Sequence, residues 1–534
     1  MLARFCAFVS LLTALSAPLL AQTIFVDGDL TTGGNNGSTW ADAFRGPGAV
    51  HDALAIATPG TEIWLTGGTY VPTDSLDATA RFEILQSGVT LRGGFAGTET
   101  SPFERPAPGT LPTVLSGDLL GDDGAVGGGP SDNSENVVVI QGSRTTLERI
   151  HVAGGTVAGL SGMIVQALTL DRCVFENNSG AGAQLMTSGL ELSIRDCRFR
   201  SNGGDGLDLW VSKFGVPSER FEVVRCSSTD NGGNGFRIVL TVGALEISHL
   251  VSARNGGYGI LFPTFDEVLL APAMYHCTVV GNGLGGVRME SCACIVAQIV
   301  VADSIIWGNR SPEVSGVAFP QRCIVSDRGD PDPLFVDEAS GDYSLSPTSP
   351  AIDRSELSPF VSNALDAARQ HRDVDVSGIS NGLGTVDLGA FEFTGSIGDH
   401  GGCDARANST GEVGRLFARG SEVAADNGLQ LRADRLPPQQ FGLFLASRLA
   451  AADPFNGGLG TLCLGGTIGR FNGPGQVRAT TPAGTLELDV DLTRIPEGGA
   501  FAAVQPGETW RFQLWHRDVP ATNQLTGVVA VRFR

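Results

Sequence analysis

Asp205 and Asp208, in the run Asp205-Gly206-Leu207-Asp208, are the carboxylates whose spacing best suits proton transfer to and from a substrate. Arg237 and Arg288 hold the place of Asp208 in two later repeats, so the three together could bind an acidic sugar. Asp118, Asp122 and Asp123, with Asp132 and Glu135, cluster hard oxygen ligands in a Gly-rich stretch, a pattern that suits Ca²⁺. Each group also has a plainer reading. Asp205 fills the variable slot of an Asn-Gly-Gly-x-Gly turn, mixed charges on an exposed strand face are ordinary, and acidic loops are usually just solvated. Histidines 51, 151, 249, 276, 371, 400 and 516 show no metal-ligand spacing, and there is no Gly-x-Ser-x-Gly elbow or phosphate loop. Lys213 is the sole lysine and reads as a solvated loop residue. Trp40, Trp64, Trp210 and Trp307 could stack on sugars, although core and cap positions explain most tryptophans.

A repeating unit positions these residues. Cys173, Cys197, Cys226, Leu250 and Cys277 are each followed five residues later by Asn (178, 202, 231, 255, 282) and nine later by Gly, and Ser304 with Asn309 begins a sixth copy. The intervals between the asparagines, 24, 29, 24, 27 and 27 residues, are those of a stacked solenoid. After each Gly comes an alternating segment such as Leu207-Asp208-Leu209 or Phe236-Arg237-Ile238, a strand with one face buried. Before each Asn the pattern predicts a second strand, as across Asp171 to Phe175, and the coil length leaves room for a third. The Asn-Gly-Gly-x-Gly corner is expected to supply positive φ angles. Coils stacked about 4.8 Å apart would place Asn178, Asn202, Asn231, Asn255, Asn282 and Asn309 in a ladder of paired amides. The cysteines of the repeat would form an interior column of free thiols, because adjacent coils do not offer the skewed geometry of a disulfide.

The first 21 residues, an arginine followed by an apolar run ending in Ala21, read as a cleaved export signal, and no later run is long enough to span a membrane. A formal charge of −21 argues against nucleic acid as a partner. The 73 glycines and 17% charged residues describe a turn-rich β protein. Ten cysteines, one of them in the signal, leave an odd number and hence at least one free thiol.

The segments Gly37-Ser38-Thr39-Trp40-Ala41-Asp42-Ala43-Phe44, Gly68-Thr69-Tyr70 and Gly93-Gly94-Phe95-Ala96-Gly97-Thr98-Glu99 resemble the start of secreted bacterial right-handed parallel β-helix proteins of the pectate-lyase-like superfamily. Asp332-Pro333-Leu334-Phe335-Val336-Asp337, Gly341 to Leu345, Ser349 to Asp353 and Val386 to Glu392 resemble the "choice-of-anchor Q" segment that ends many of them. The resemblance implies an all-β chain: signal 1–21, right-handed parallel β-helix with an N-terminal cap 22–328, and a C-terminal cap 329–394. From residue 395 the register is gone, and alternating runs at Leu486 to Leu492, Trp510 to Trp515 and Val528 to Phe533 suggest a β-sandwich over 395–534. Cys403 and Cys463, the only cysteines of this tail, are expected to form a disulfide. Asp205 to Asp208 is similar to the Asn-Thr-Asp-Gly-x-Asp stretch of polygalacturonase-type hydrolases. That family needs a further carboxylate pair and a histidine on following coils, where this chain has Gly233-Asn234 and Gly257-Tyr258. The expected protein is therefore an exported, monomeric, non-catalytic adhesion or carbohydrate-binding β-helix with a glycan partner. The alternative is a polysaccharide lyase or glycoside hydrolase acting on an acidic polysaccharide, with catalytic groups drawn from Asp205, Asp208, Arg237 and Arg288.

Overall fold

A computed structural model describes residues 22–534 except 74, 124–128, 165, 189–190, 213–219, 241–244, 264–272, 291–298, 317, 347, 359–360, 362–364, 371, 373, 375, 377–379, 394, 396, 398–404, 457–460 and 519–521. The expected signal, Lys213 and Cys403 lie outside the described residues. Each circuit of the chain adds one strand to each of three parallel sheets. Among the described residues the first sheet has 11 strands from Thr23–Val26 to Ala318–Gln321, the second 9 from Phe82–Ile84 to Val314–Gly316, and the third 10 from Gly68–Tyr70 to Ile324–Val325. In a typical coil, Ala167–Asp171 joins the first sheet, Val174–Glu176 the third and Ala181–Thr187 the second. The fold is a parallel β-helix.

The strand expected across Asp171 to Phe175 is two strands, because Arg172 turns the chain with φ of 53°. Arg149, Asp196, Arg225, His249, His276, Asp303 and Arg322 occupy the same left-handed corner on other coils, with φ between 50° and 56°. A Cβ in this region costs about 1–2 kcal/mol, and side-chain pairing along the column offsets it. Arg225 holds Asp196 with two bonds of 2.8 Å, Arg322 holds Asp303 at 2.6 and 2.7 Å, and the His249 and His276 rings stack 5.5 Å apart.

At the next corner the positive φ falls on Asn177, Ser201, Asp230, Arg254, Gly281 and Gly308, each just before a ladder asparagine, and not on the glycines of the three Asn-Gly-Gly-x-Gly turns. Those glycines answer a different need, the close approach of coils. A Cβ on Gly206 would lie 2.1 Å from Ser228 Oγ and 2.7 Å from the Gly235 carbonyl oxygen. The ladder itself runs unbroken. The side-chain amide of Asn178 donates to Asn202 Oδ1 at 2.8 Å, and those of Asn202, Asn231, Asn255 and Asn282 do the same to the next member at 2.9, 2.8, 2.9 and 2.7 Å. Backbone N–H groups of the same residues bond the same oxygens at 2.9–3.2 Å. Asn309 closes the row on Glu313, with its backbone N–H and side-chain amide on the two carboxyl oxygens at 3.0 and 2.6 Å. Glu313 is 1% exposed, and burial pushes its carboxyl above the usual range.

Inside the coils, Leu170, Phe175, Leu185, Ile194, Phe199, Leu209, Phe236 and Ile260 belong to one continuous apolar core. Cys173, Cys197, Cys226 and Cys277 are buried free thiols within it. Burial pushes the Cys197 thiol well up, reinforced by its cysteine neighbours, and raises Cys277 to about 12. The helix Ala49–Ile56, expected from His51 to Ala57, covers the first coil with buried Ala49, Val50, Ala53 and Leu54.

The outer face of the third sheet is covered by later chain: Tyr343, Leu345, Ala351, Ile352, Leu388 and Ala390 pack on Val251, Ala253, Val280, Ile305 and Ile324. Beside this cover lies a buried polar cluster. Arg372, 1% exposed, donates to the carbonyls of Gly389 and Asp387 at 3.0 and 2.6 Å and lies 3.2 Å from His276 Nδ1. Burial raises Asp366 to about 6 and Asp387 to about 7, and drives His249 and His276 well below the usual imidazole range.

Beyond residue 395, Arg415–Gly420, Leu429–Asp434 and Leu486–Val490 make one antiparallel sheet. Phe441–Ser447, Thr509–Asp518 and Thr522–Arg532 form the body of a second. Leu416, Leu431, Phe444, Trp510, Phe512, Val529 and Val531 from both faces share one core, the arrangement of a β-sandwich.

Candidate functional site

The period of two along the second sheet sends alternate side chains outward, and register lines them into two rows. In the first, Ser161, Gln184, Asp208, Arg237, Leu261 and Arg288 stand on successive coils. In the second, two residues further along each strand, come Met163, Met186, Trp210 and Val239. Met163 and Met186 are 64% and 43% exposed, although an apolar side chain of this size gains by burial. Trp210 is half-buried. This second row was readable in the sequence at the same two-residue offset from Gln184 and Asp208.

The structure brings Asp208 and Arg237 together. Arg237 Nη1 donates to Asp208 Oδ1 at 2.6 Å, and both side chains are mostly covered. Arg288 is set apart from them by Leu261. Its guanidinium lies 5.4 Å above the Tyr258 ring, donates to the Tyr258 hydroxyl at 3.2 Å and sits 3.8 Å from Glu290. Asp205 does not share this face. Its Oδ1 accepts the backbone and side-chain N–H groups of Asn234 at 2.6 and 2.9 Å, and Asn234 Oδ1 in turn accepts the Tyr258 N–H at 2.9 Å. Burial raises its carboxyl despite these bonds. Asp205 is thus the first member of a short second ladder.

An acid–base pair needs two carboxyl groups facing the substrate. On the coils beside Asp208 the equivalent places hold Gln184 and Arg237, so one carboxylate stands alone and is already paired. The arrangement offers a polar row with donors and acceptors beside a polarizable apolar row.

The acidic loop differs from expectation in one member. Asp118, Asp122 and Asp132 can bring one oxygen each within 4.8 Å of one another. Asp123 instead accepts the side-chain amide of Asn133 at 2.8 Å. Of the tryptophans, Trp40 and Trp64 belong to an aromatic cluster with Phe25 and Phe95, and Trp307 packs under the cover of the third sheet. Sequence reasoning missed the left-handed corner column and Glu313; no glycine or asparagine signals that corner.

Residues 131–218 match the family described as right handed beta helix region, and the helix is of that hand. No curated protein matches the chain. Among solved structures, pectate lyase Pel9A is similar at 16% identity over 69% of this chain and 96% of that one, with a TM-score of 0.42. The tailspike protein gp49 of Acinetobacter baumannii bacteriophage Fri1, a capsular polysaccharide depolymerase, is similar at 10% identity over 91% and 79%, with a TM-score of 0.32. A rhamnogalacturonan lyase is similar at 11% identity over 68% and 99%, with a TM-score of 0.31. No described helix is long and apolar enough to cross a membrane.

Proposed function

We propose that this is an exported, non-catalytic carbohydrate-binding protein that lays an extended glycan along the outer face of the second sheet. The observation that carries this reading is the pair of parallel rows. Met163, Met186 and Trp210 present C–H and aromatic surface to sugar rings, while Gln184, Arg237 and Arg288 offer hydrogen bonds at every second coil. The pairing of Asp208 with Arg237 supports binding over proton transfer, because a carboxylate oxygen already bonded to a guanidinium is not free to take a substrate proton.

The test is a glycan-array profile of the purified chain, followed by titration of the best glycan into Trp210→Ala and Gln184→Ala. Loss of affinity in both supports the reading. Binding to no glycan on the array overturns it. Incubation with acidic polysaccharides, with and without Ca²⁺, gives the other decisive outcome: new unsaturated or reducing ends that disappear in Asp208→Ala would make the protein an enzyme.

A further inference from the structure

The stretch from Gly117 to Glu135 contains five carboxylates, Asp118, Asp122, Asp123, Asp132 and Glu135, and no lysine or arginine. None of the five is ion-paired among the described residues. The loop's described residues fold around its own acids. Asp118 Oδ1 accepts the N–H groups of Gly121 and Asp122 at 2.7 and 3.2 Å, its Oδ2 accepts Asp123 N–H at 3.1 Å, and Asp132 Oδ2 accepts Leu120 N–H at 3.0 Å. These bonds gather like charges that would otherwise repel. One oxygen each of Asp118, Asp122 and Asp132 lies within 4.8 Å of the others. Two oxygens at a Ca–O distance of about 2.4 Å from one ion stand at most about 4.8 Å apart, so a single ion can touch all three.

A separate observation points the same way. Asp122 Oδ1 and Asn133 Oδ1 are buried with no hydrogen-bond donor. Asn133 is 3% exposed, and its Nδ2 donates to Asp123 Oδ2 of the same loop at 2.8 Å, leaving Oδ1 without a donor. Both orphaned atoms are oxygens that can only accept, and a buried acceptor without a partner is costly. A surplus of negative charge together with a shortage of donors is the deficit that a hard cation fills.

We infer that this loop binds one Ca²⁺ through Asp118, Asp122 and Asp132, with Asn133 supplying a neutral oxygen from the same loop. Calcium fits better than magnesium because the ligands are all oxygen and come from irregular chain, whereas magnesium demands near-ideal octahedral geometry and keeps its water. The ion has a mechanical consequence. Ser134 N–H bonds the Gly117 carbonyl at 2.9 Å, and the coil above hangs on the loop's exit through Thr156 to Ser134 at 2.9 Å and Val157 to Glu135 at 2.8 Å. That same coil supplies the Gly155 N–H that begins the asparagine ladder on Asn178 Oδ1. Calcium would therefore fasten the entrance of the ladder.

The experiment is independent of glycan binding. Full-length protein stripped with EGTA is titrated with CaCl₂ by calorimetry and melted with and without the ion, alongside Asp122→Asn and Asp132→Asn. One ion per chain is expected, with a higher melting temperature, a smaller rise from equal MgCl₂, and about tenfold or greater loss of affinity in each variant. Hydrogen exchange of the Gly121 to Asp123 amides should slow on adding calcium, a readout on the native chain that needs no variant. Absence of both heat and exchange protection in folded protein overturns the inference. So does calcium binding that survives unchanged in both variants.

Discussion

Replacing Asn255 by alanine tests the ladder at its centre. The side-chain amide of Asn255 donates to Asn282 Oδ1 at 2.9 Å, to the Ser228 carbonyl at 3.0 Å and to Ser252 Oγ at 3.2 Å. Its Oδ1 accepts the backbone N–H of Asn231 at 3.2 Å and the side-chain amide of Asn231 at 2.8 Å. The side-chain amide of Asn231 keeps Phe199 O and Ser228 Oγ as partners, and Asn282 Oδ1 keeps the Asn255 backbone N–H, so the group left without a partner is the Asn231 backbone N–H. An orphaned buried N–H costs about 1–3 kcal/mol, and each lost bond that leaves its acceptor otherwise satisfied about 0.5–1.5 kcal/mol. With four such bonds lost beside the orphan, the sum is about 3–9 kcal/mol, a large part of a typical domain's net stability. Urea unfolding followed by circular dichroism measures the total. Because coils contact only their neighbours, exchange of the Asn231 amide reads the local loss directly. A cost under about 1 kcal/mol, with Asn231 protection unchanged, would refute the claim that paired amides hold the coils in register.

Gly206→Ala should lower the melting temperature by the equivalent of about 1–3 kcal/mol or more, since its Cβ would meet Ser228 Oγ at 2.1 Å and a backbone carbonyl at 2.7 Å; an unchanged melt would show that the coils can separate freely. Asp387, raised from 3.8 to about 7, holds its proton more tightly folded than unfolded, so its contribution is complete below about pH 4 and is lost as pH rises through 7. Asp387→Asn should therefore remove a stability difference of up to about 4 kcal/mol between pH 4 and 8, while His249 and His276, held neutral, lose stability in the opposite sense as pH falls below about 6.5; parallel pH profiles for wild type and variant would contradict this. Cys173, Cys197, Cys226 and Cys277 should resist maleimide until the protein is unfolded, and peptide mapping without reductant should recover Cys403 joined to Cys463; rapid native labelling of the first four, or a free Cys403, would count against these readings.

The repeat was legible because its signals are local. An asparagine at a fixed offset from a small apolar residue, followed by a strand of period two, determines both which face is buried and which residues stack, and so Asn178 to Asn309 and the Asp208 and Arg237 rows were readable. The corner at Arg172 was not, since a left-handed arginine is uncommon and is sustained by partners a whole coil away, as Arg225 is by Asp196. The glycines misled for the converse reason: their sequence context is that of a turn, but what excludes a Cβ at Gly206 is the neighbouring coil, and no single-coil pattern reports that contact. In the acidic loop, composition identified the acids but not the partners, because the choice between Asp123 and Asp132 depends on where Asn133 points.

Glu313 gives the relay of amides a direction and an end. Every asparagine from 178 to 282 accepts from the coil before it and donates to the coil after it, and Asn309 donates instead to Glu313 four residues on, a carboxylate with no amide hydrogen to hand further. The row of asparagines is thereby closed at one residue: further members could be spliced in ahead of Asn309, but not stacked behind Glu313 without replacing it. A line of asparagines from a second chain would meet at this end a carboxylate with no amide hydrogen to donate, so the ladder has no donor there through which to continue.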